Sequence, residues 1–384
     1  MRVLFISSSY LPKIGGLENL VSQVASDFLR QGHKVKVITQ KYPRNLSKSE
    51  VIKGVEVNRI LFFHPQLPLL KLRSIIAYLY TFLLAPINLL KFVTYLRRFC
   101  PDVVNYHFVG APTFFLLVYL KFFKTKLVVS LHGEDVMVLP FESKVSMYLF
   151  KSLLKKAEVV VANSYYTLNK ALIIAPFAKD KSVVIYPGIN FEEFKDVKPY
   201  SHIRRYIFSL GRFVYKKGFD VLIKAFNLVV EEVEDIDLII AGDGPQRAYL
   251  EQLINKFNLR DRVSLWGWAS REEALALLKG CEFFVLPSRN EPLGIVMLEA
   301  LASRKPVIAT KSGGPQEVIQ DGINGVLVDK GNPEALAKAI LNLCKERDLS
   351  ESISNNFLKY INNFDIDHTL EKYSSILGIK KERC

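Results

Sequence analysis

Two carboxylates, Glu291 and Glu299, stand with seven residues between them in the stretch Ser288-Arg-Asn-Glu-Pro-Leu-Gly-Ile-Val-Met-Leu-Glu299. The apolar run Cys281–Leu286 before it has the length of a strand, and Ile295–Ser303 after it is rich in good helix formers. The segment therefore reads as strand, loop, helix. Pro292 suits the start of the turn, and Gly294 lets backbone approach a ligand where the free N–H groups of the helix begin, which makes an anion site. Glu291 lies in the loop and Glu299 about one turn into the helix, so the two could accept hydrogen bonds from hydroxyls at different ends of one extended ligand. The same pattern also fits an ordinary helix with acidic residues near its favourable end.

Other stretches carry compatible chemistry. Ser209-Leu-Gly-Arg-Phe-Val-Tyr-Lys-Lys-Gly218 follows a strand and holds Arg212 and Lys217 beside two glycines. Arginine offers a fork and lysine a mobile point charge, so this loop suits a diphosphate, or it is a solvated basic loop. Val128-Val-Ser-Leu-His-Gly-Glu-Asp135 places His132 at a strand exit, where it could bond a sugar hydroxyl or serve as a structural histidine. Less motif surrounds His33, His64, His107, His202 and His368, and no group of them has metal-ligand spacing. Gly15 and Gly16 open a helix directly after the first strand.

These residues need strand ends to hold them, and the chain supplies two series. Strands are expected at Val3–Ile6, Val35–Thr39, Val55–Leu61, Val103–Asn105, Leu127–Ser130, Val159–Ala162 and Val183–Ile185. A second set falls at Tyr206–Leu210, Leu238–Ala241, Val263–Trp266, Phe283–Leu286, Val307–Ala309 and Gly325–Val328. Strands alternating with helices predict parallel, doubly wound sheets, with ligands at the carboxyl ends of the strands. The expected layout is an α/β domain over 1–190, a polar linker over 191–205, a second over 206–364, and a terminal helix over 365–384 that could pack on either domain.

The chain has 384 residues and a formal charge of +14, and that charge is one-sided. Residues 1–200 hold 27 Lys and Arg against 13 Asp and Glu, while the remainder holds 25 against 25. The bases are dispersed and no nucleic-acid motif accompanies them, so an anionic membrane surface is the expected partner and nucleic acid is not. The scattered Cys100, Cys281, Cys344 and Cys384 suit neither zinc nor a disulfide scaffold, and Val3–Ile6 is too short for a signal-peptide core. The expected location is the cytoplasm, on the inner face of the cell membrane. Ser74–Leu90 is apolar, flanked by Lys71, Arg73 and Lys91 and interrupted by Pro86. A single span there would put Gly15 and His132 on opposite sides of a membrane, so it reads as a buried or domain-surface helix, or as an interfacial anchor.

Taken together, these motifs resemble the retaining GT-B fold glycosyltransferases of family four, whose signature is two glutamates at the spacing of Glu291 and Glu299. The resemblance spans almost the whole chain: Gly15-Gly16, His132-Gly133, Arg212, Lys217-Gly218, Ser312-Gly-Gly-Pro-Gln-Glu317 and Asp321-Gly-Ile-Asn-Gly325. Leu293 departs from the phenylalanine common there, and Asn190 from a frequent aspartate. The resemblance implies two Rossmann-like domains facing across a cleft, and retaining transfer of a hexose from a UDP- or GDP-linked sugar to a lipid-linked or saccharide acceptor, without metal or further cofactor. It puts Arg212 and Lys217 on the diphosphate, Glu299 on the ribose and Glu291 on the transferred sugar. The amides of Leu293, Gly294 and Ile295 would add to the donor site, the backbone of Trp266, Gly267 and Trp268 would face the base, and Gly15, Gly16 and His132 would face the reacting sugar. Asp235-Ile-Asp237 and Asp365-Ile-Asp367 match the metal signature of the other large glycosyltransferase fold, but one precedes a strand and the other starts a helix, where Asp is a common cap. A nucleotide-binding module or a Rossmann oxidoreductase is the alternative, although the first loop lacks G-x-G-x-x-G.

Overall fold

The computed structural model describes residues 1–12, 15–41, 45–62, 72–346 and 361–378, with the side chains of 72–82 and 361–362 excepted. His64, Lys71, Cys384 and the side chains of Arg73 and residues 74–82 lie outside that description. The chain forms two compact units, Met1–Tyr186 with Thr369–Cys384, and Pro187–His368.

The first unit is built on an eight-stranded sheet. Its strands are β1 (Arg2–Ser7), β2 (Lys34–Gln40), β3 (Ser49–Ile52), β4 (Val55–Ile60), β5 (Val103–His107), β6 (Lys126–Leu131), β7 (Val159–Ala162) and β8 (Ser182–Val184). They lie in the order β3-β4-β2-β1-β5-β6-β7-β8, parallel except for β3. Continuous apolar runs such as Val3–Ile6 and Val103–Val104 are buried, as a parallel sheet covered by helices on both faces requires. Strand β3, absent from the sequence expectation, alternates half-buried and exposed residues and pairs antiparallel with β4. Its hairpin turns on Lys53 and Gly54, both at positive φ (49° and 81°), the conformation of a tight type I′ turn.

The helix Leu72–Phe99 runs through Pro86, which therefore does not interrupt it. Proline removes one N–H from the ladder, and packing farther along offsets the loss: Phe92 and Leu96 are fully buried, and Asn88 Nδ2 donates to Leu61 O at 2.9 Å. Leu83, Ile87 and Leu90 are exposed, so the described part of this helix is not wholly interior. Among the described residues no helix is long and apolar enough to cross a membrane.

The second unit carries β9 (Arg205–Leu210), β10 (Ile236–Ala241), β11 (Val263–Gly267), β12 (Phe283–Leu286), β13 (Val307–Thr310) and β14 (Val326–Val328). Their order is β11-β10-β9-β12-β13-β14, all parallel, the 3-2-1-4-5-6 arrangement of dinucleotide-binding sheets. Residues 191–205, expected as a linker, are packed: Lys279 Nζ donates to Phe194 O (2.8 Å) and Val197 O (2.6 Å), and Tyr200 N donates to Ala276 O (2.9 Å). A polar segment without apolar period can thus be held through its backbone carbonyls. The terminal helix Ile366–Leu377 belongs to the first unit from Thr369 onward, where Tyr373 and Leu377 are buried and Lys126 Nζ donates to Ile376 O at 2.7 Å near the helix's negative end.

Candidate functional site

In a sheet of this order the strand sequence reverses between β9 and β12, and the loops leaving those two strands part to open a crevice. Both carry the predicted residues. After β9, Arg212 is exposed and a 3₁₀ turn, Tyr215–Lys217, presents Lys217. Gly218 then sits at φ 70°, and a Cβ there would come within 2.1 Å of Pro287 O in the loop after β12. The two loops touch backbone to backbone, which only glycine permits here.

Other bonds stitch the same loops. Arg289 N donates to Lys216 O at 2.7 Å, and the Arg289 guanidinium makes a two-pronged pair with the buried Asp220 carboxylate, both distances 2.7 Å. That guanidinium lies over the Tyr215 ring, 4.1 Å from its centroid. Lys217 is thereby fixed, with Nζ 2.6 Å from Glu291 Oε2, which also accepts from Ser288 Oγ at 2.9 Å. Glu291 is buried, and its backbone is clamped on the opposite side: Glu291 N donates to Ser312 O and Gly314 N donates to Glu291 O. The ammonium has three donors, so Lys217 can keep Glu291 and still reach an anion.

Gly294 caps the helix Ile295–Ala302 at φ 91°, where a Cβ would approach Leu286 Cδ2 to 2.8 Å. Leu293 is buried, and a helix that follows a parallel strand turns its first, unpaired amides toward the strand's carboxyl end. Glu299 is also buried, and Arg271 Nη1 meets its Oε1 at 2.5 Å while Arg271 Nε donates to Glu193 Oε2 at 3.0 Å. Burial raises the Glu299 carboxyl above its ordinary range and Arg271 opposes that rise.

Lys217, Glu291, Leu293, Gly294 and Ile295 are therefore gathered at the switch point, with Glu299 one turn deeper. Trp266, Gly267 and Trp268 lie at the exit of β11, on the far side of β10. Gly267 O is already taken by Gly242 N at 2.7 Å, Trp266 packs edge-on against Tyr200, and Trp268 is 67% exposed. Sequence reasoning missed Arg271, whose one signal is its place directly after the capping-box residue Ser270, and Glu193, which it left in the linker.

The first unit has its own switch point, between β1 and β5. Gly15 caps the helix Gly16–Arg30, and a Cβ on it would stand 2.4 Å from the Glu18 carboxylate, which Ser9 Oγ holds at 2.6 Å. His132, after β6, does not stand by itself. Its Nε2 is 3.1 Å from His107 Nδ1 and the rings stack at 5.3 Å. Burial pushes His132 down to about 3 and His107 well below its usual value, so both imidazoles are neutral near pH 7. Asp135, two residues after Gly133, accepts from the amides of His132 (2.9 Å), Gly133 (2.8 Å) and Val109 (3.3 Å) and so shapes that loop. Burial pushes its carboxyl up to about 7, against those three bonds.

The two Asp-x-Asp sequences are spent on structure. Asp235 pairs with Arg205, Asp237 meets Arg204, Arg262 and His202, and Asp365 Oδ1 accepts from Asp367 N at 2.9 Å. Among the described residues no three His, Cys, Asp or Glu side chains are grouped to hold a metal ion.

Comparison with known proteins covers both units. Residues 190–360 match the model of the glycosyl transferases group 1, and residues 14–193 match the model of Glycosyltransferase Family 4. An uncharacterized glycosyltransferase of Methanocaldococcus jannaschii is 31% identical over 254 residues, 66% of this chain and 67% of that protein. A lipopolysaccharide core biosynthesis glycosyltransferase of Rhizobium meliloti is 40% identical over 148 residues, 38% of this chain and 41% of that protein. Among solved structures, the Anabaena protein HepE in complex with UDP and glucose superposes with a TM-score of 0.79 at 21% identity, over 98% of this chain and 99% of that one.

Proposed function

Because the chain belongs to the glycosyl transferases group 1 family and has the GT-B fold, we propose that it moves a hexose from a UDP- or GDP-linked donor to a lipid-linked or saccharide acceptor with retention of configuration. The observation that carries this reading is the clamped pair of loops at the second unit's switch point. It sets Lys217 against Glu291 at 2.6 Å beside a helix N-terminus that begins at Gly294. Cleavage of a sugar–diphosphate bond leaves negative charge on the departing group. The cations Arg212 and Lys217, with the amides after Gly294, stabilise that charge more in the transition state than in the ground state. In this reading those groups supply the positive charge, and the reaction needs no metal.

Glu291 accepts from hydroxyls of the transferred sugar and Glu299 from the ribose, each oriented by a cation, Lys217 and Arg271. Neutral His132, steadied by His107 and Asp135, can accept or donate one hydrogen bond to the reacting sugar or acceptor without adding charge. Attack comes from the face the diphosphate leaves, and a departing phosphate oxygen takes the acceptor's proton, so the configuration is retained. The HepE complex holds UDP and glucose, which supports a nucleotide-sugar donor for this fold.

A thermal-shift panel tests the reading. A UDP- or GDP-sugar at a hundred times its dissociation constant adds about 2.7 kcal/mol of stability. Stabilisation by NAD, with none by any nucleotide sugar, would reject it in favour of an oxidoreductase.

A further inference from the structure

His107 and His132 share one proton between two ring nitrogens, and the ring that owns it decides what His132 can offer a ligand. His107 ends β5 opposite Ser130 of β6, two residues before His132, so strand register brings the imidazoles together. His107 Nδ1 and His132 Nε2 are 3.1 Å apart. Burial keeps both rings neutral near pH 7, so each carries a single N–H and only one of them can donate across the contact. Two arrangements meet that condition. Either His107 donates through Nδ1–H and His132 keeps its own proton on Nδ1, or His132 donates through Nε2–H and His107 keeps its proton on Nε2.

The far nitrogen of His107 separates the two. Nε2 is buried and has no hydrogen-bond partner among the described residues. The rings of Phe5 and Tyr373 lie beside the imidazole, with centroids at 5.8 and 5.7 Å. Asn105, two residues back on the same strand face, has its Oδ1 taken by Ser130 Oγ at 3.0 Å, while its Nδ2 is a buried donor without a partner. A proton on His107 Nε2 would therefore be a second orphaned donor, whereas a bare Nε2 puts a lone pair on a face that already has a donor to spare. Orphaned N–H groups are the rarer of the two kinds in protein interiors. His132 itself is half-buried, and among the described residues no hydrogen bond reaches its Nδ1, which leaves that nitrogen for a ligand.

We infer that His107 is a positioning residue that fixes His132 in the tautomer protonated on Nδ1, so that His132 meets the reacting sugar or the acceptor as a hydrogen-bond donor. This rests on the glycosyltransferase reading above and narrows the part His132 plays in it. With Nε2 engaged by His107, the ring has no lone pair with which to take a proton. The acceptor's proton then leaves by another base, which agrees with its transfer to the departing phosphate.

Long-range proton–nitrogen correlation spectra of the full chain, its histidines carrying the heavy nitrogen isotope, read the tautomer near pH 7, because protonated and bare ring nitrogens resonate far apart. The signals lost in His132→Gln identify His132, and they are expected to show Nδ1 protonated and Nε2 bare. His107→Asp sets an acceptor-only carboxylate in place of Nδ1 and should move the His132 proton to Nε2. His107→Asn, whose amide can put a donor there, should keep it on Nδ1. With the donor chosen by the thermal-shift panel, the rate of its hydrolysis should fall roughly a hundredfold in His107→Asp, the scale of one lost transition-state donor, and clearly less in His107→Asn. The loss should appear in turnover and not in donor affinity. A His132 protonated on Nε2 in the unaltered protein, or divided between both forms, overturns the proposal even where the aspartate variant does not fold. So does an equal loss of turnover in folded His107→Asp and His107→Asn, because His107 would then act only by filling space. Absence of nucleotide-sugar binding in the unaltered protein removes the glycosyltransferase reading instead, and the spectrum still decides the tautomer.

Discussion

Lys217 is held in place by a chain of hydrogen bonds. Its ammonium is held by Glu291, and Glu291 is held in turn by Ser288 and the Ser312–Gly314 backbone, so in the proposed reaction the cation would need no reorganisation as charge develops. Lys217→Ala and Arg212→Ala are each expected to lower turnover roughly a hundredfold or more, the usual loss for one preorganised transition-state contact. EDTA should change little. Full activity in both variants, or loss with EDTA and recovery with Mg²⁺, would contradict the metal-free assignment. The two glutamates should separate by ligand. Glu299→Gln is expected to weaken free nucleotide, while Glu291→Gln should chiefly weaken the sugar-bearing donor; equal weakening of free nucleotide by both would reject that division.

At the scale of elements, the proposed donor site depends on two loops meeting with no side chain between them. Gly218→Ala faces a left-handed φ and a carbonyl 2.1 Å from the new Cβ, whereas Gly331→Ala meets a similar φ (73°) with nothing within 4 Å. The second should cost roughly 1–2 kcal/mol, the ordinary penalty of the conformation, and the first clearly more. Urea denaturation of both proteins measures the difference, and equal costs would mean the loops part easily. The loop after β6 makes a pH-dependent contribution instead. His132, held down to about 3, refuses a proton that the unfolded chain takes near 6.5, so its contribution to stability is whole above pH 6.5 and drains as pH falls toward 3. Asp135, pushed up to about 7, works the other way: its contribution is whole below its unfolded value of 3.8 and drains as pH rises to 7. His132→Asn deletes the first effect and leaves the second, so its melting temperature should fall less between pH 7 and pH 4.5 than that of the unaltered protein. His107 stays in both, so some decline should remain. An unchanged or steeper decline would show that His132 takes up its proton in the folded state at ordinary pH.

For the whole molecule, the excess of positive charge over residues 1–200 and the exposed Leu83, Ile87 and Leu90 on the Leu72–Phe99 helix make a case for a lipid surface. Lys91, Arg97 and Arg98 on that helix are exposed too, and Arg97 also covers the Phe123 ring at 5.6 Å. Each base near anionic lipid contributes about 1 kcal/mol. The protein should sediment with vesicles containing anionic lipid, less so as salt rises, and less again when Lys91, Arg97 and Arg98 are replaced by Ser. Indifference to anionic vesicles at low salt would remove the membrane from the account and leave the donor chemistry untouched.

Much of this was legible from residues in order. A parallel strand buried on both faces must be a short apolar run, and a turn at positive φ against neighbouring chain must carry glycine, so β1, β5, β9 and β12 and the turns at Gly218 and Gly294 are all expected from the sequence. So is the placing of Glu291 in the loop and Glu299 in the helix after it, because seven intervening residues span one turn and the start of one helix. Partners that are distant in the chain were not legible. Nothing near Glu299 announces Arg271 or Glu193, nothing near His132 announces His107, and polar β3 and residues 191–204 have no apolar period by which to be found. Those contacts exist because the sheet order places loops side by side that the chain keeps tens of residues apart, and side-chain hydrogen bonds leave no periodic trace. Local sequence carries backbone conformation and burial, which act over a few residues; which charges meet is decided only when the strands have taken their places.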